Sequence, residues 1–310
     1  MKELQKEAII EALRALQQDI CRKLEAADGE GQFREDRWER PGGGGGFARV
    51  IEGRHIEKGG VNFSAVHGVM PEKISKVLQL EPGDFLATGV SIVLHPKSPK
   101  VPIIHMNVRY FEMGSGQWWF GGGIDLTPHY VVPEDARYFH QQLKAVCDAH
   151  HPGFYPEFKK WADDYFYLKH RRETRGIGGI FFDRLNTDSR GMSKAALFDY
   201  VLAVGNTFAP TYIHLLEQHK NEAYGERELQ WQGLRRGRYV EFNLVWDKGT
   251  KFGLDTDGRT ESILMSLPPI ARWEYDHQPE EGSEEARTLG YLRKDIDWTD
   301  VRFADESSSF

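Results

Sequence analysis

Cysteine is nearly absent: the 310 residues include two, Cys21 and Cys147, and they make no CxxC pair. Neither a zinc–thiolate site nor a disulfide framework is expected, and a reducing, cytoplasmic setting follows as the default. Long apolar runs are missing too. None approaches the roughly 20 residues that a membrane-spanning helix needs, and the N-terminus lacks the layout of a signal peptide. There is no excess of positive charge, with Lys+Arg 40 against Asp+Glu 47 and a net charge of −7, and no basic run. That balance argues against a nucleic-acid binder. No GxxxxGK[ST] occurs, and Gly176, Gly178 and Gly179 do not form GxGxxG inside a βαβ repeat, so a nucleotide fold is unsupported. HExxH is absent as well.

What the chain does hold is aromatic side chains (8 Trp, 12 Tyr, 18 Phe) and enough length for a substantial core. The most informative stretch runs from Val101 to Tyr130. In an extended segment side chains alternate between faces. Ile104, Met106, Val108 and Tyr110 therefore share one face, and His105, Asn107 and Arg109 share the other. After a turn around Gly114–Gly116 the chain returns through Trp118, Trp119 and Gly121–Gly123 to Asp125, a hairpin pattern that brings Asp125 near the strand carrying Arg109. The preceding segment Thr88–His95 alternates in the same way and places Ser91, Val93 and His95 on one face.

Elsewhere, residues 1–27 read as an amphipathic helix with Ile9, Leu13, Leu16, Ile20 and Leu24 inward. Gly42–Gly46 read as a mobile linker or an anion cradle. Helices are expected over Pro71–Leu78, Pro133–His150 and Pro156–Leu168, from Ser193 to Phe208, and again from Pro210. Arg238–Trp246 reads as a strand. No repeat or linker divides the chain, so residues 1–310 form one α+β domain: a large, mainly antiparallel sheet flanked by helices on both faces.

His95, His105, His140 and His170 are candidate metal ligands, and Asp125 a candidate acid. Arg171, Arg172, Arg175, Arg235, Arg236, Arg238 and Arg259 gather near glycine-rich turns, beside Arg109. Guanidinium groups grip carboxylates in pairs of hydrogen bonds. From residues alone the reading stops at an enzyme or binding protein with an Arg- and His-lined pocket for an acidic, aromatic ligand.

Several long blocks carry a resemblance. They are GVNFSAVHG (60–68), GVSIVLHP (89–96), HMNVRYFE (105–112), WWFGGGIDLTP (118–128), KWADDYFYLKHRRETRGIGGIFFD (160–183), LRRGRYVEFNLVWDKGTKFGL (234–254) and RTESILMSLPP (259–269). Collinear from about Phe33 onward, they resemble the oxygen-dependent coproporphyrinogen III oxidase family. Three departures stand out: Ala162 where that family has Cys, Phe47-Ala48 where it has a basic residue and a hydroxyl, and Asp257 where it has a small residue. The resemblance implies a homodimer, with residues 235–275 contributing to its interface. It implies oxidative decarboxylation of two propionates of coproporphyrinogen III to vinyl groups, giving protoporphyrinogen IX, CO2 and H2O2, with O2 as co-substrate and no required cofactor. His105, Arg109 and Asp125 would be catalytic. Ser91, Asn107, Val108, Arg109, Asp257, Gly258 and Arg259 would contact the substrate. The four histidines fall on positions proposed for a divalent metal such as manganese. A metal-dependent hydrolase or dioxygenase and a non-catalytic porphyrin carrier are the competing readings.

Overall fold

The fold was obtained as a computed structural model, which describes residues 4–255 and 258–300. The chain opens with α1 (Lys6–Asp28), whose apolar positions fall at helical spacing and are buried. Gly29 ends it in the left-handed region (φ 82°), its N–H returning to the Glu25 carbonyl. Then come β1 (Arg34–Glu39), β2 (Gly44–Ile51), β3 (Ile56–Val69), α2 (Glu72–Leu78), β4 (Asp84–Pro96), β5 (Ile103–Met113) and β6 (Trp118–Thr127). Helices α3 (Pro133–His150) and α4 (Phe154–Tyr165) lead to a small ribbon of β7 (Tyr167–Leu168) and β8 (Glu173–Thr174), then to β9 (Gly179–Leu185). The remainder is helical: α5 (Thr187–Arg190), α6 (Lys194–His219), α7 (Glu226–Glu241), a π-helical turn (Phe242–Trp246), α8 (Lys248–Asp255), α9 (Thr260–Leu264) and α10 (Glu284–Tyr291).

Seven strands form one antiparallel sheet in the order β1-β2-β3-β4-β5-β6-β9, a meander completed by one long return. One face is apolar throughout: Val61, Phe63, Val90, Ile92, Ile104, Met106, Val108, Phe120, Ile124, Ile180 and Phe182 are buried in the main core. Helices α1, α3, α4 and α6 cover it. Phe198 of α6 stacks on Phe120 at 5.7 Å, and Phe158 of α4 meets Phe182 at 5.4 Å. α1 and α6 approach closely at Gly205, where a Cβ would lie 2.5 Å from Leu16. The opposite face holds the polar residues. It is covered only in part, by Tyr239 of α7 against Val93 and Ile103, and by α9 and the chain after it, whose Ser262, Ser266 and Leu267 carbonyls accept from Asn62, His95 and Lys58. Helices thus lie on both faces, as the α+β reading requires.

Several local expectations change. Arg238–Trp246 is helical, not a strand. Tyr239, Phe242 and Asn243 are buried at helical spacing, and the buried Arg235 and Arg236 disguise that period because arginine reads as a surface residue. Pro210 does not start a helix but sits inside α6. The lost hydrogen bond and ring clash cost roughly 3 kcal/mol, and the buried stripe Val204, Phe208, Tyr212, Leu215, Leu216 on both sides of it offsets that cost. The helix expected to reach Leu168 ends at Tyr165, so Lys169–Arg172 form the turn of the β7–β8 ribbon. The glycine run is neither linker nor cradle. Gly42 and Gly43 (φ 115°) lie in the β1–β2 hairpin turn, and Gly44 (φ 77°), Gly45 and Gly46 lie within β2.

The loops beside β2 and β3 are tied down by one buried carboxylate. Asp28 accepts backbone N–H groups of Gly31 (2.8 Å), Arg54 (2.7 Å), His55 (2.8 Å) and Ile56 (2.9 Å). Burial pushes its pKa up, but those donors outweigh burial and hold it at about 2. A folded value below the unfolded one of about 3.9 adds stability above that pH, and the gain disappears as the pH falls toward 2. Asp28→Asn should lower the unfolding free energy by about 1–3 kcal/mol and remove this part of the acid dependence; urea titrations at neutral and acidic pH check both.

Candidate active site

Strand register turns the polar face into transverse rows. Val93, His105, Asp125 and Gly179 lie side by side across β4, β5, β6 and β9. The next row runs Asn62, Ser91, Asn107, Gly123, Phe181, and the one after it Ser64, Gly89, Arg109, Gly121. Glycine and serine make this floor shallow. At Gly121 the reason is local, since a Cβ would stand 2.6 Å from Asp183 and 2.8 Å from Arg109. A bulge in β9 at this point lets Asp183 and Arg184 both face Gly121, with Arg184 in the left-handed region at φ 51°.

At the centre stands Asp125. It is buried (2 % exposed), and its two oxygens have different partners. His105 Nδ1 lies 2.7 Å from Oδ1, and Arg175 Nη2 donates to Oδ2 at 2.6 Å. Burial pushes the Asp125 carboxyl up, but the Arg175 charge and the His105 hydrogen bond outweigh it, so the pKa lies below the ordinary value. Arg175 is itself buried, packed against the rings of Phe166 (4.3 Å), Phe242 (4.7 Å) and Tyr239 (4.8 Å), with Nη1 donating to Asn243 Oδ1 at 2.9 Å. His105 is half-buried and leans edge-on toward Phe166, and its Nε2 has no hydrogen-bond partner among the described residues.

The expected residues separate into those brought together and those held apart. His105 and Asp125 are neighbours, and Ser91, Asn107 and Arg109 share their face. Arg109 is not beside Asp125. It lies two rows away, about 13 Å along the strand, and pairs with Asp183 at 2.9 Å. Val108 is turned the other way; its side chain is buried in the core, so only its backbone can reach the floor. Arg259 pairs with Asp36 of β1, Gly258 donates its N–H to the Gly253 carbonyl, and Asp257 lies outside the described residues. Arg175 emerged only as one of a group, because nothing local marks it: register alone shows that the chain entering β9 at Gly179 must pass Asp125. Of the other arginines, Arg171 and Arg238 are engaged by Glu241, Arg235 by Glu173 and Arg236 by Glu57, while Arg172 is exposed at the turn of the β7–β8 ribbon. Ala162, at the family's cysteine position, is buried among Phe166, Leu168 and Phe242, a packing position.

The four histidines do not assemble as ligands. Both His140 ring nitrogens are used inside the core, by the Tyr155 hydroxyl and the Ile177 carbonyl, each at 2.9 Å. His95 Nε2 bonds the Ser266 carbonyl, while His170 is held between Glu241 and the Trp246 indole N–H. Among the described residues no three His, Cys, Asp or Glu side chains converge on one point. The donor set of a four-histidine metal centre does not fit, because its members lie in different layers of the molecule.

A half-exposed imidazole backed by a buried, ionised carboxylate, on an open floor with a guanidinium at its far end, is the equipment of an acid–base enzyme acting beside a bound anion. Comparison with known proteins narrows this class. Residues 8–298 match the family model described as coproporphyrinogen III oxidase. The chain is 51% identical over 302 residues to the soybean protein named oxygen-dependent coproporphyrinogen-III oxidase, chloroplastic, covering 92% of this chain and 77% of that one. It is 52% identical over 298 residues to the oxygen-dependent coproporphyrinogen-III oxidase of Drosophila melanogaster (91% and 75% covered), and 48% identical over 319 residues to that of Prochlorococcus marinus (95% and 92%). The chain belongs to the coproporphyrinogen III oxidase family, and it is an enzyme of that family.

Buried imidazoles give the molecule a recognisable pH response. Burial drives His95 and His140 down to about 3 and His129 well below its ordinary value. The unfolded chain takes up these protons near pH 6.5 and the folded chain does not, so stability should fall as the pH drops below about 6.5, with a slope near 4 kcal/mol per pH unit around pH 5. His219 acts oppositely: pairing of its ring nitrogens with the Asp135 and Glu222 carboxylates, which accept from the protonated ring, raises it to about 9, and its contribution is lost on the alkaline side. Urea midpoints measured from pH 5 to 9 should therefore peak near neutrality, and a flat acid side would contradict the neutral buried histidines.

Proposed function

We propose that the enzyme converts two propionate side chains of coproporphyrinogen III to vinyl groups, giving protoporphyrinogen IX. The observation that supports this most is the His105–Asp125–Arg175 array at one end of a shallow, small-residue floor, with Arg109 at the other. A bulky macrocycle needs a broad, flat bed, and its propionates need guanidinium partners. The Arg109–Asp183 pair is partly exposed, and such pairs contribute about 0–1 kcal/mol. A ligand carboxylate can therefore take the place of Asp183 on Arg109 at little cost.

In this reading Asp125 accepts hydrogen bonds from pyrrole N–H groups at the lone pairs that His105 and Arg175 leave on its two oxygens, and stabilises positive charge as the ring is oxidised. Arg109 holds the reacting propionate. For each propionate, –CH2–CH2–COO− loses CO2 and the equivalent of a hydride to become –CH=CH2. O2 takes up those two electrons and two protons to leave as H2O2. His105 supplies or removes protons at the reacting side chain, its ring fixed by the Asp125 contact at Nδ1. The two electrons come from the substrate's own side chain, relayed through its electron-rich pyrrole ring, so the scheme requires O2 and no further redox group. Ser91 and Asn107 lie in the row between the two ends and would contact the pyrrole rings, and Arg259, paired with Asp36 of β1, would contact the substrate as well.

A homodimer belongs to the same reading. Leu244, Val245, Leu254, Ile270, Trp273 and Tyr275 are exposed large hydrophobic residues, all within 235–275. Side chains of this kind on one segment favour burial against another copy. A cytoplasmic setting is supported by two cysteines that are both buried and free.

Coproporphyrinogen III prepared anaerobically and mixed in air with chelator-treated enzyme should give protoporphyrinogen IX and peroxide in matching amounts. Asp125→Asn should lower kcat, measured on folded enzyme, by at least about 100-fold, and it should also lower the melting temperature because Arg175 is left buried without its counter-charge. Product that appears only after a divalent metal is restored would contradict the scheme. Leu244→Asp with Val245→Asp should shift the molecule from dimer to monomer in sedimentation equilibrium.

A further inference from the structure

Among the described residues Arg175 is the permanently charged partner of Asp125, and what holds Arg175 in place is unusual. Three aromatic faces, from Phe166, Tyr239 and Phe242, confine the plane of the guanidinium. They do not stop it rotating or sliding within that plane. In-plane position is set by hydrogen bonds, and the recorded ones are two: Nη2 to Asp125 and Nη1 to Asn243, while Nε has none. Asp247 faces the same cation, but its oxygens are occupied by the Tyr165 hydroxyl and by the backbone N–H and hydroxyl of Thr250.

Asn243 reaches Arg175 because the chain widens into a π-helical turn directly after α7. The Asp247 N–H bonds the Phe242 carbonyl at 2.9 Å, and the turn buries Phe242 and Asn243 on its inner side while Leu244 and Val245 stay exposed. Short π-helical insertions recur at functional sites for this reason: they re-aim side chains that a regular helix would direct elsewhere. The chemistry of the acceptor matters too. A neutral amide oxygen steadies Arg175 without drawing off its charge, whereas a carboxylate there would compete with Asp125 for the same guanidinium.

We propose that Asn243 is a positioning residue for the reaction, acting on Asp125 through the Arg175 guanidinium. This rests on Asp125 being the reacting carboxylate, as the proposed function has it. Among the described residues the Asn243 amide oxygen accepts from Arg175 and from no floor residue, so its replacement should alter the chemical step more than binding.

The test compares Asn243→Asp, which keeps the shape, with Arg175→Lys and with the double variant, following kcat, KM for coproporphyrinogen III and melting temperature. Asn243→Asp should lower kcat by roughly 10- to 100-fold, with KM within about twofold and a nearly unchanged melting temperature. In the Arg175→Lys background the same substitution should cost less than about threefold, because residues acting as one unit are not additive. Unchanged kcat in Asn243→Asp, or losses that multiply in the double variant, would overturn the assignment. Asp125→Asn measured alongside separates the two levels. If it retains wild-type kcat, the reading of Asp125 itself fails. If it loses activity while Asn243→Asp does not, only the role of Asn243 falls.

Discussion

A carboxylate removed from water loses several kcal/mol of hydration that its surroundings must replace, and the arrangement around Asp125 follows from that requirement. Arg175 supplies a full opposite charge at 2.6 Å, and His105 a second hydrogen-bonding partner. Burying Arg175 then raises the same difficulty again. Its answer is a box of three aromatic faces and one amide oxygen, drawn from α4's end, α7 and the π-helical turn. One buried charge thereby recruits residues from four separate stretches of chain. The helical segment after α7 has its position relative to the sheet fixed at this point.

The remainder of the polar face has the opposite character. Between Asp125 and Arg109 it carries small or neutral side chains, and the arginine at its far end is held only by a partly exposed ion pair. A rigid, charged end and a yielding, anion-accepting end suit a ligand whose rings must be placed accurately while its acidic arms find their own partners.

How far the sequence discloses this depends on how local each signal is. The alternation of His105, Asn107 and Arg109 with Ile104, Met106 and Val108 is visible within one strand, and the sheet uses it as read. It should also have excluded Val108, whose parity places it in the core. Pairing His105 with Asp125 rather than Arg109 with Asp125 depends on the register of a hairpin, which turn length fixes only approximately. Arg175 lies 50 residues beyond Asp125 in the chain, and no periodicity links the two. Histidine count misled for a related reason: His140 satisfies both ring nitrogens inside the core, something its position beside an apolar stripe hinted at without deciding. Buried arginines at 235 and 236 broke the helical pattern that would otherwise have revealed α7.

The account turns on Asp125 being ionised although it is buried. Infrared difference spectra of the wild-type enzyme against Asp125→Asn at neutral pH, with 13C-labelled aspartate to assign the bands, measure that state directly. The account predicts the paired stretching bands of a carboxylate. A carbonyl band from a neutral carboxylic acid assigned to Asp125 would contradict it, since a protonated group would neither need Arg175 nor stabilise positive charge on a bound ring.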